Sequence, residues 1–129
     1  MLFFSGRISG IIVAGGHESS VVDLLIGDQG MKQLPNLPHK ISSLSMVAHN
    51  GTILLCGGRN NEQKCLQLDH GTWKKHSTLN EARVAHSIVR TQEGTFLFGG
   101  YSYYSKTTFE YLPRDSTTRG ETSRKFFGS

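Results

Sequence analysis

Residues 51–58 read Gly-Thr-Ile-Leu-Leu-Cys-Gly-Gly, a short apolar run that ends in two glycines. The same ending occurs at equal spacing on either side, in 10–16 (Gly-Ile-Ile-Val-Ala-Gly-Gly) and in 94–100 (Gly-Thr-Phe-Leu-Phe-Gly-Gly). Each run has the length and composition of a buried β-strand. The glycines allow a positive φ and a close approach of neighbouring chain. The fixed period, which is the sequence distance from Gly16 to Gly58, predicts stacked repeats, each of them a small β-sheet.

The second unit predicts four strands, because apolar segments alternate in it with polar turns. The strands are expected at about 43–49, 52–56, 64–69 and 73–76. Asn50-Gly51 is a strong signal for a two-residue hairpin turn, since both of its central residues need a positive φ. One period before Trp73 stands Met31, another large apolar side chain. No segment has a sustained helical period, so the sequence predicts an all-β fold.

This order of features resembles the kelch repeat of β-propellers. The second unit carries most of the resemblance, through Gly57, Gly58, Asp69, Trp73, Leu79, Arg83 and His86. The third unit keeps Gly99, Gly100 and Phe109-Glu110-Tyr111, and the first keeps Gly15, Gly16 and Leu37-Pro38. The resemblance implies four-stranded antiparallel blades of an incomplete propeller, covering 8–113 as units of about 8–49, 50–91 and a partial 92–113. Residues 1–7 are then an N-terminal extension, and 114–129 are expected to form a polar, disordered tail.

The number of repeats is small for a propeller. Such folds have roughly 4 to 8 blades, whereas the sequence pattern supplies two complete units and part of a third. Because each repeat buries its faces on its neighbours, a short array leaves two open ends. We therefore expect further blades, from the same or another chain, to close the propeller. A fragment of a larger propeller is the first interpretation, and a partial gene product or a self-associating chain are the alternatives.

Charge and composition exclude several classes of function. The formal charge is +4, and Lys74-Lys75 is the one basic doublet within 8–113. The basic residues are therefore not clustered as they are on a nucleic-acid-binding surface. The six histidines lack the short spacing of metal ligands, so we expect neither a metal nor another cofactor. No apolar stretch approaches the roughly 20 residues that a membrane-spanning helix needs.

Two cysteines bear on the compartment. Cys56 ends one predicted strand and Cys65 begins the next, so the two can face each other across a hairpin at a distance that a disulfide tolerates. A bridged pair would indicate an extracellular protein, and a reduced pair a cytoplasmic one. Asn50-Gly51-Thr52 is a possible glycosylation site, although the turn itself already favours Asn-Gly at this position.

No catalytic motif stands out in the sequence. It has no nucleophile elbow, no phosphate-binding loop and no paired carboxylates, so we expect no enzyme. The resemblance implies instead a protein–protein interaction scaffold, with its partner bound on the rim formed by the loops after the Gly-Gly strands. The candidate rim residues are His17, Glu18, Arg59, Asn60, Asn61, Tyr101, Tyr103 and Tyr104. A structural role is expected for Gly15, Gly16, Gly57, Gly58, Gly99, Gly100, Trp73, Leu79 and Arg83.

One alternative belongs to another class. The chain could be a piece of a propeller enzyme, such as a copper oxidase or a glycan hydrolase, whose catalytic residues lie on blades outside this sequence.

Overall fold

Strands make up the regular structure of the part of this chain that can be described. A computed structural model describes residues 2–4, 10–16, 19–25, 30–49, 52–102, 104–105, 108–113, 121–122 and 124–127. Its strands are β1 Leu2–Phe4, β2 Gly10–Ala14, β3 Val22–Leu25, β4 Met31–Leu34, β5 Ser45–His49, β6 Thr52–Cys56, β7 Lys64–Asp69, β8 Thr72–Thr78, β9 Ser87–Arg90, β10 Gly94–Phe98, β11 Tyr101–Ser102, β12 Tyr104–Ser105, β13 Thr108–Pro113, β14 Glu121–Thr122 and β15 Arg124–Phe127. No helix occurs among these residues, which confirms the predicted all-β class.

Three antiparallel four-stranded sheets follow one another along the chain. Blade 1 has the strand order β1-β2-β3-β4, blade 2 the order β5-β6-β7-β8, and blade 3 the order β9-β10-β13-β15. Two short additions interrupt this plan. Strand β14 lies parallel to the outer strand β8 of blade 2, and β11 pairs with β12 in the connection between β10 and β13.

The sheets correct the expected boundaries at both ends of the chain. Residues 1–7 are not only an extension, because β1 pairs with β2 inside blade 1. The tail 114–129 is not wholly disordered, because β15 pairs with β13 and completes blade 3 with a fourth strand. The partial third repeat is thus a whole sheet. The expected division between 8–49 and 50–91 also falls inside blade 2, because the first strand of that blade, β5, ends at His49. A blade is defined by which strands pair, and this need not coincide with where the sequence repeat was taken to begin.

Blade 2 is covered on both faces. One face packs against blade 1 in a cluster of buried residues: Val22, Leu37, Ile41, Met46, Ile53, Leu55, Leu66 and Trp73. The other face packs against blade 3 in a second cluster: Val47, Leu54, Cys56, Cys65, Leu79, Leu97 and Leu112. Neighbouring residues such as Leu54 and Leu55 enter opposite clusters because side chains alternate across a strand. Burial on both faces explains why β6 is apolar throughout.

Trp73 lies in the contact between blades 1 and 2. Its side chain is 8% exposed, and its indole Nε1 donates a hydrogen bond of 2.8 Å to the carbonyl oxygen of Pro35. Tryptophan is a large residue that needs a partner for its N–H when it is buried. Trp73 therefore joins the outer strand of blade 2 to the segment that follows blade 1.

We expect Trp73→Phe to lower the free energy of unfolding by about 1–2 kcal/mol, since it removes one hydrogen bond and part of a buried ring. Urea denaturation followed by circular dichroism would measure the change. Because Trp73 is the single tryptophan, the fluorescence of the unmutated chain checks its burial independently. Emission at the wavelength of free indole in water, with ready quenching by iodide, would contradict this assignment.

Cys56 and Cys65 are joined by a disulfide in the structure. They are directly opposite each other on β6 and β7, with their Cα atoms 4.1 Å apart. The next pair exchanges a backbone hydrogen bond from Gly57 N to Lys64 O, so the cysteines form a non-hydrogen-bonded pair, in which side chains come closest. Both cysteines are fully buried against blade 3, so the disulfide is part of the contact between two blades.

Candidate functional site

The segment that connects one blade to the next lies between two glycine pairs, one in each of the two blades. At the first connection, the amide of Gly16 in blade 1 donates to Ile41 O, and the amide of Arg59, next to Gly58 of blade 2, donates to Ser42 O. A Cβ at Gly58 would stand 2.8 Å from Ser42 O, and the φ of Gly58 is +98°. Glycine is required here because the neighbouring backbone occupies the space of a side chain.

The second connection repeats this arrangement one period later. The amide of Gly58 donates to Arg83 O, and that of Tyr101 donates to Val84 O. Isolated bridges join Ser42 to Arg59 and Val84 to Tyr101 at the two connections. Equivalent residues thus make equivalent contacts, so the sequence period corresponds to a structural repeat. As a result, the glycine pairs that follow β2, β6 and β10 lie on the same side of the three blades.

A polar cleft opens at the first of these connections. It has a volume of about 560 Å³ and is lined by Gly16, Lys40, Ser42, Ser43, Arg59, Asn60 and Glu62. The lining combines two cationic side chains with one carboxylate and several hydrogen-bonding groups.

Arg59 and Tyr101 connect the rims of blades 2 and 3. Both side chains are exposed, and the guanidinium of Arg59 donates a hydrogen bond of 2.7 Å to the Tyr101 hydroxyl. The Arg59 Cζ lies 5.7 Å from the centre of the Tyr101 ring. Asn60 lies beside them and donates from Nδ2 to Lys40 O over 3.2 Å. The structure therefore brings three of the expected rim residues together at the edge of the cleft.

The other expected rim residues differ in position. Asn61 is a correction, because it is buried and its Nδ2 donates to the carbonyl oxygens of Gly57 and Lys64, each over 3.0 Å. It shapes the loop and cannot contact a partner. Three of the others lie outside the described residues: His17, Glu18 and Tyr103, as does the possible glycosylation site Asn50. Of Tyr104 the structure gives the backbone, within β12.

Arg83 is buried beneath the rim, where blade 2 meets blade 3. All five of its N–H groups have partners. Nε donates to Glu110 Oε2 over 2.8 Å, and one terminal nitrogen donates to the carbonyl oxygens of Gly99 and Thr108 over 2.7 and 2.9 Å. The other donates to Thr108 Oγ1 over 2.8 Å and to Glu81 Oε2 over 3.2 Å. Arg83 therefore links the connection after β8 to the backbone and side chains of blade 3.

Glu110 completes this buried ion pair. Both Arg83 and Glu110 have 0% exposure. The carboxylate of Glu110 also accepts hydrogen bonds from the backbone amides of Asn80, over 2.6 Å, and Glu81, over 3.2 Å. A buried charge is tolerated only when it is paired and hydrogen-bonded, and both conditions hold here.

His86 is a further buried polar side chain at the same connection. Its Nε2 lies 2.5 Å from Ser45 Oγ, and the Ser45 hydroxyl donates to Cys56 O over 3.3 Å. In a neutral His86 the tautomer decides whether Nε2 donates to the Ser45 hydroxyl or accepts from it. Among the described residues, Nδ1 has no hydrogen-bond partner. Burial and the neighbouring Arg83 guanidinium lower the pKa of His86 from 6.5 to about 4.

We expect acid to destabilise the protein through His86. The unfolded chain binds a proton at the ordinary histidine pKa, whereas the folded chain resists protonation until about pH 4. The free energy of unfolding is therefore unaffected by His86 well above pH 6.5. It falls as the pH drops from 6.5 towards 4, and the loss is about 2 kcal/mol at pH 5. Urea denaturation at pH 7.5 and pH 5 would measure this. Leu44 stands one period before His86, so His86→Leu is the matched control, and an unchanged pH dependence in that variant would exclude His86 as the cause.

Sequence reasoning missed the part of the cleft that comes from the connection between blades, namely Lys40, Ser42 and Ser43. These residues carry no motif, and they meet Arg59 only because a blade packs beside its neighbour. The repeat period could have indicated one of them. Ser42 lies one period before Val84, so the two residues are expected at equivalent positions relative to the glycine pairs.

Two further observations concern metal binding and membrane-spanning helices. The described residues contain no group of three or more His, Cys, Asp or Glu side chains that could hold a metal ion. Within the same part of the chain, no helix has the length and apolar character needed to cross a membrane.

Comparison with known proteins points to kelch-containing relatives. The chain is 31% identical over 104 residues to the kelch repeat and BTB domain-containing protein 1 of horsepox virus, which is 74% of this chain and 18% of that protein. It is 29% identical over 117 residues to the protein of the same name from cowpox virus (strain Brighton Red), which is 84% of this chain and 21% of that protein. The chain thus spans about a fifth of the length of these relatives. No family model matches it. These likenesses support a kelch-related chain.

Proposed function

We propose that this chain is part of a kelch-type propeller that acts as a protein-interaction scaffold and has no chemistry of its own. Its partner binds at the rim cleft, defined as Lys40, Ser42, Arg59, Asn60 and Glu62, together with the neighbouring Tyr101. The kelch repeats in the names of the two poxvirus relatives support this role.

The observation that carries the proposal is the meeting of exposed polar side chains at one edge of the stacked blades. Arg59 and Tyr101 are one period apart and in contact, and the cleft lies directly beside Arg59. Arginine and tyrosine often anchor protein interfaces, because they combine a large contact area with hydrogen-bonding groups. The buried network of Arg83 beneath them gives the rim a rigid base.

Affinity capture with the purified chain as bait tests this function. Bait with the natural sequence and an Arg59→Glu bait would be exposed to the same extract, and bound proteins would be identified by quantitative mass spectrometry. We expect a direct partner to lose at least tenfold in recovery with Arg59→Glu, since removing a central anchor of this kind costs more than about 1.4 kcal/mol.

Lys75→Glu is the matched control, because it makes the same change of charge at an exposed residue on the outer strand β8. Trp73 fluorescence would verify that both variants are folded. Equal loss with both variants would indicate a general charge effect, and equal retention would exclude the cleft as the docking site. Either outcome would contradict the proposal.

The alternative of a propeller enzyme finds no specific support among the described residues. It has a clear test of its own, since a copper oxidase would bind copper in a fixed ratio. Inductively coupled plasma mass spectrometry of the purified protein would detect this, and one copper ion per chain would overturn the scaffold proposal.

A further inference from the structure

The disulfide of blade 2 is packed in the contact with blade 3. Cys56 and Cys65 are each 0% exposed and belong to the apolar cluster that joins the two blades. Leu97 on β10 and Leu112 on β13 contribute to the same cluster from blade 3 and are also buried. Because protein interiors are close-packed, such a contact has little spare room. A change in the shape of the cysteine pair must therefore affect the packing of blade 3.

The same place in blade 1 is filled without a disulfide. Ala14 pairs with Val22 on β2 and β3 in the register in which Cys56 pairs with Cys65 on β6 and β7. Val22 is buried in the cluster between blades 1 and 2, and Ala14 packs against that cluster. Two apolar side chains thus suffice at the first contact. Since the chain has only two cysteines, a disulfide is a feature of the second contact alone.

Reduction changes the space that the cysteine pair needs. A dithiol such as dithiothreitol attacks one sulfur as a thiolate, forms a mixed disulfide, and then displaces the second cysteine. Two electrons and two protons pass to the protein, which gains two thiols, while the reductant becomes a cyclic disulfide. Two thiols stay at van der Waals distance, whereas bonded sulfurs share a covalent bond. The reduced pair therefore overfills a close-packed contact between strands whose Cα atoms are 4.1 Å apart.

The rim loop connects this pair to the surface. Residues 57–64 lie between the two cysteines, and Arg59 in this loop donates a hydrogen bond of 2.7 Å to the hydroxyl of Tyr101, which follows β10 of blade 3. Asn61 Nδ2 donates to two carbonyl oxygens of the same loop, each over 3.0 Å. These internal hydrogen bonds preserve the shape of the loop without the disulfide. Reduction should therefore alter the position of the loop relative to blade 3.

We propose that the Cys56–Cys65 disulfide is a redox-sensitive lock between blades 2 and 3. Reduction loosens this contact, and with it the contact of Arg59 with Tyr101, while the contact between blades 1 and 2 stays intact. Because both cysteines are buried, a reductant reaches the bond only when the two blades separate locally. The inference concerns a contact inside the chain and is independent of the partner proposed for the rim cleft.

Amide hydrogen exchange, followed for single residues by NMR spectroscopy, tests the proposal. The chain would be unfolded in urea and refolded with or without dithiothreitol, and mass spectrometry after alkylation would verify the number of thiols. The amide of Tyr101 donates to Val84 O at the second connection, and that of Gly16 to Ile41 O at the first. We expect reduction to speed the exchange of Tyr101 by roughly tenfold or more, and that of Gly16 by at most about threefold.

Cys56→Ala combined with Cys65→Val is the matched control, because it copies the Ala14–Val22 pair of blade 1. Dithiothreitol should leave the exchange of this variant unchanged, and its Tyr101 amide should exchange within about threefold of the rate in the oxidised natural chain. A variant that exchanges as fast as the reduced natural chain would overturn overfilling as the cause.

Three other results would overturn the lock itself. Equal exchange of Tyr101 in the oxidised and reduced chains would show that the disulfide does not hold the contact. Equal acceleration of Tyr101 and Gly16 would indicate a loss of overall stability without a specific effect on blades 2 and 3. A reduced chain that fails to refold would show that the contact between blades 1 and 2 also depends on the disulfide.

Discussion

Replacing Arg83 by isoleucine should lower the free energy of unfolding by about 3–5 kcal/mol, because it leaves the carboxylate of Glu110 buried without its cation. It also removes the hydrogen bonds to the carbonyl oxygens of Gly99 and Thr108. Since a whole domain is stable by only about 5–15 kcal/mol, this single change should come close to unfolding the chain. Urea denaturation at neutral pH would measure it.

The repeat supplies the matched control. Ile41 stands one period before Arg83, and Leu66 holds the place of Glu110 in blade 2; both belong to the apolar cluster between blades 1 and 2. Arg83→Ile combined with Glu110→Leu should therefore cost no more than Arg83→Ile alone, because well-packed apolar residues can replace a buried ion pair. Additive losses in this double-mutant cycle would show that the two side chains are not coupled.

Gly57→Ala should lower the free energy of unfolding by about 3–5 kcal/mol, the sum of a strained positive φ and an overfilled site. The φ of Gly57 is +66°. An added Cβ would stand 2.6 Å from Arg83 O and would also collide with His86 Cε1. The carbonyl belongs to the backbone and the histidine ring is buried, so neither can easily move away. Thermal and urea denaturation would measure the loss.

Gly71→Ala separates the two causes of this loss. Gly71 has a φ of +79°, but nothing lies within 4 Å of the place of its Cβ. Its replacement should cost only the backbone strain, about 1–2 kcal/mol. If Gly57→Ala is no more destabilising than Gly71→Ala, the close approach of the next connection has no energetic importance.

The sequence predicted blade 2 well and the ends of the chain poorly. The four strands expected at 43–49, 52–56, 64–69 and 73–76 match β5 to β8 within a few residues. Both faces of this blade are buried, so its apolar pattern is strong. Strand β15 (Arg-Lys-Phe-Phe) directly follows a long polar segment, and it pairs with β13 through its backbone, which depends little on side-chain pattern. The fourth strand of blade 3 was therefore missed.

The candidate site was predictable only in part. Arg59 and Tyr101 could be chosen because they directly follow the glycine pairs. Lys40 and Ser42 could not, since they reach the cleft through the packing of one blade on the next. The partner of Arg83 was equally hidden, because Glu110 lies 27 residues away along the chain and no local pattern links the two.

The placement of each connection between two glycine pairs has a consequence for folding. Repeat arrays behave as a one-dimensional chain, in which the coupling between nearest neighbours decides whether units melt separately or together. Here the backbone carbonyl groups of 41–42 and of 83–84 accept hydrogen bonds from amides of both adjoining blades. A blade that opened alone would leave both of its neighbours with unpaired backbone groups. The middle blade thus transmits unfolding in both directions, so that the array should melt as a single cooperative unit.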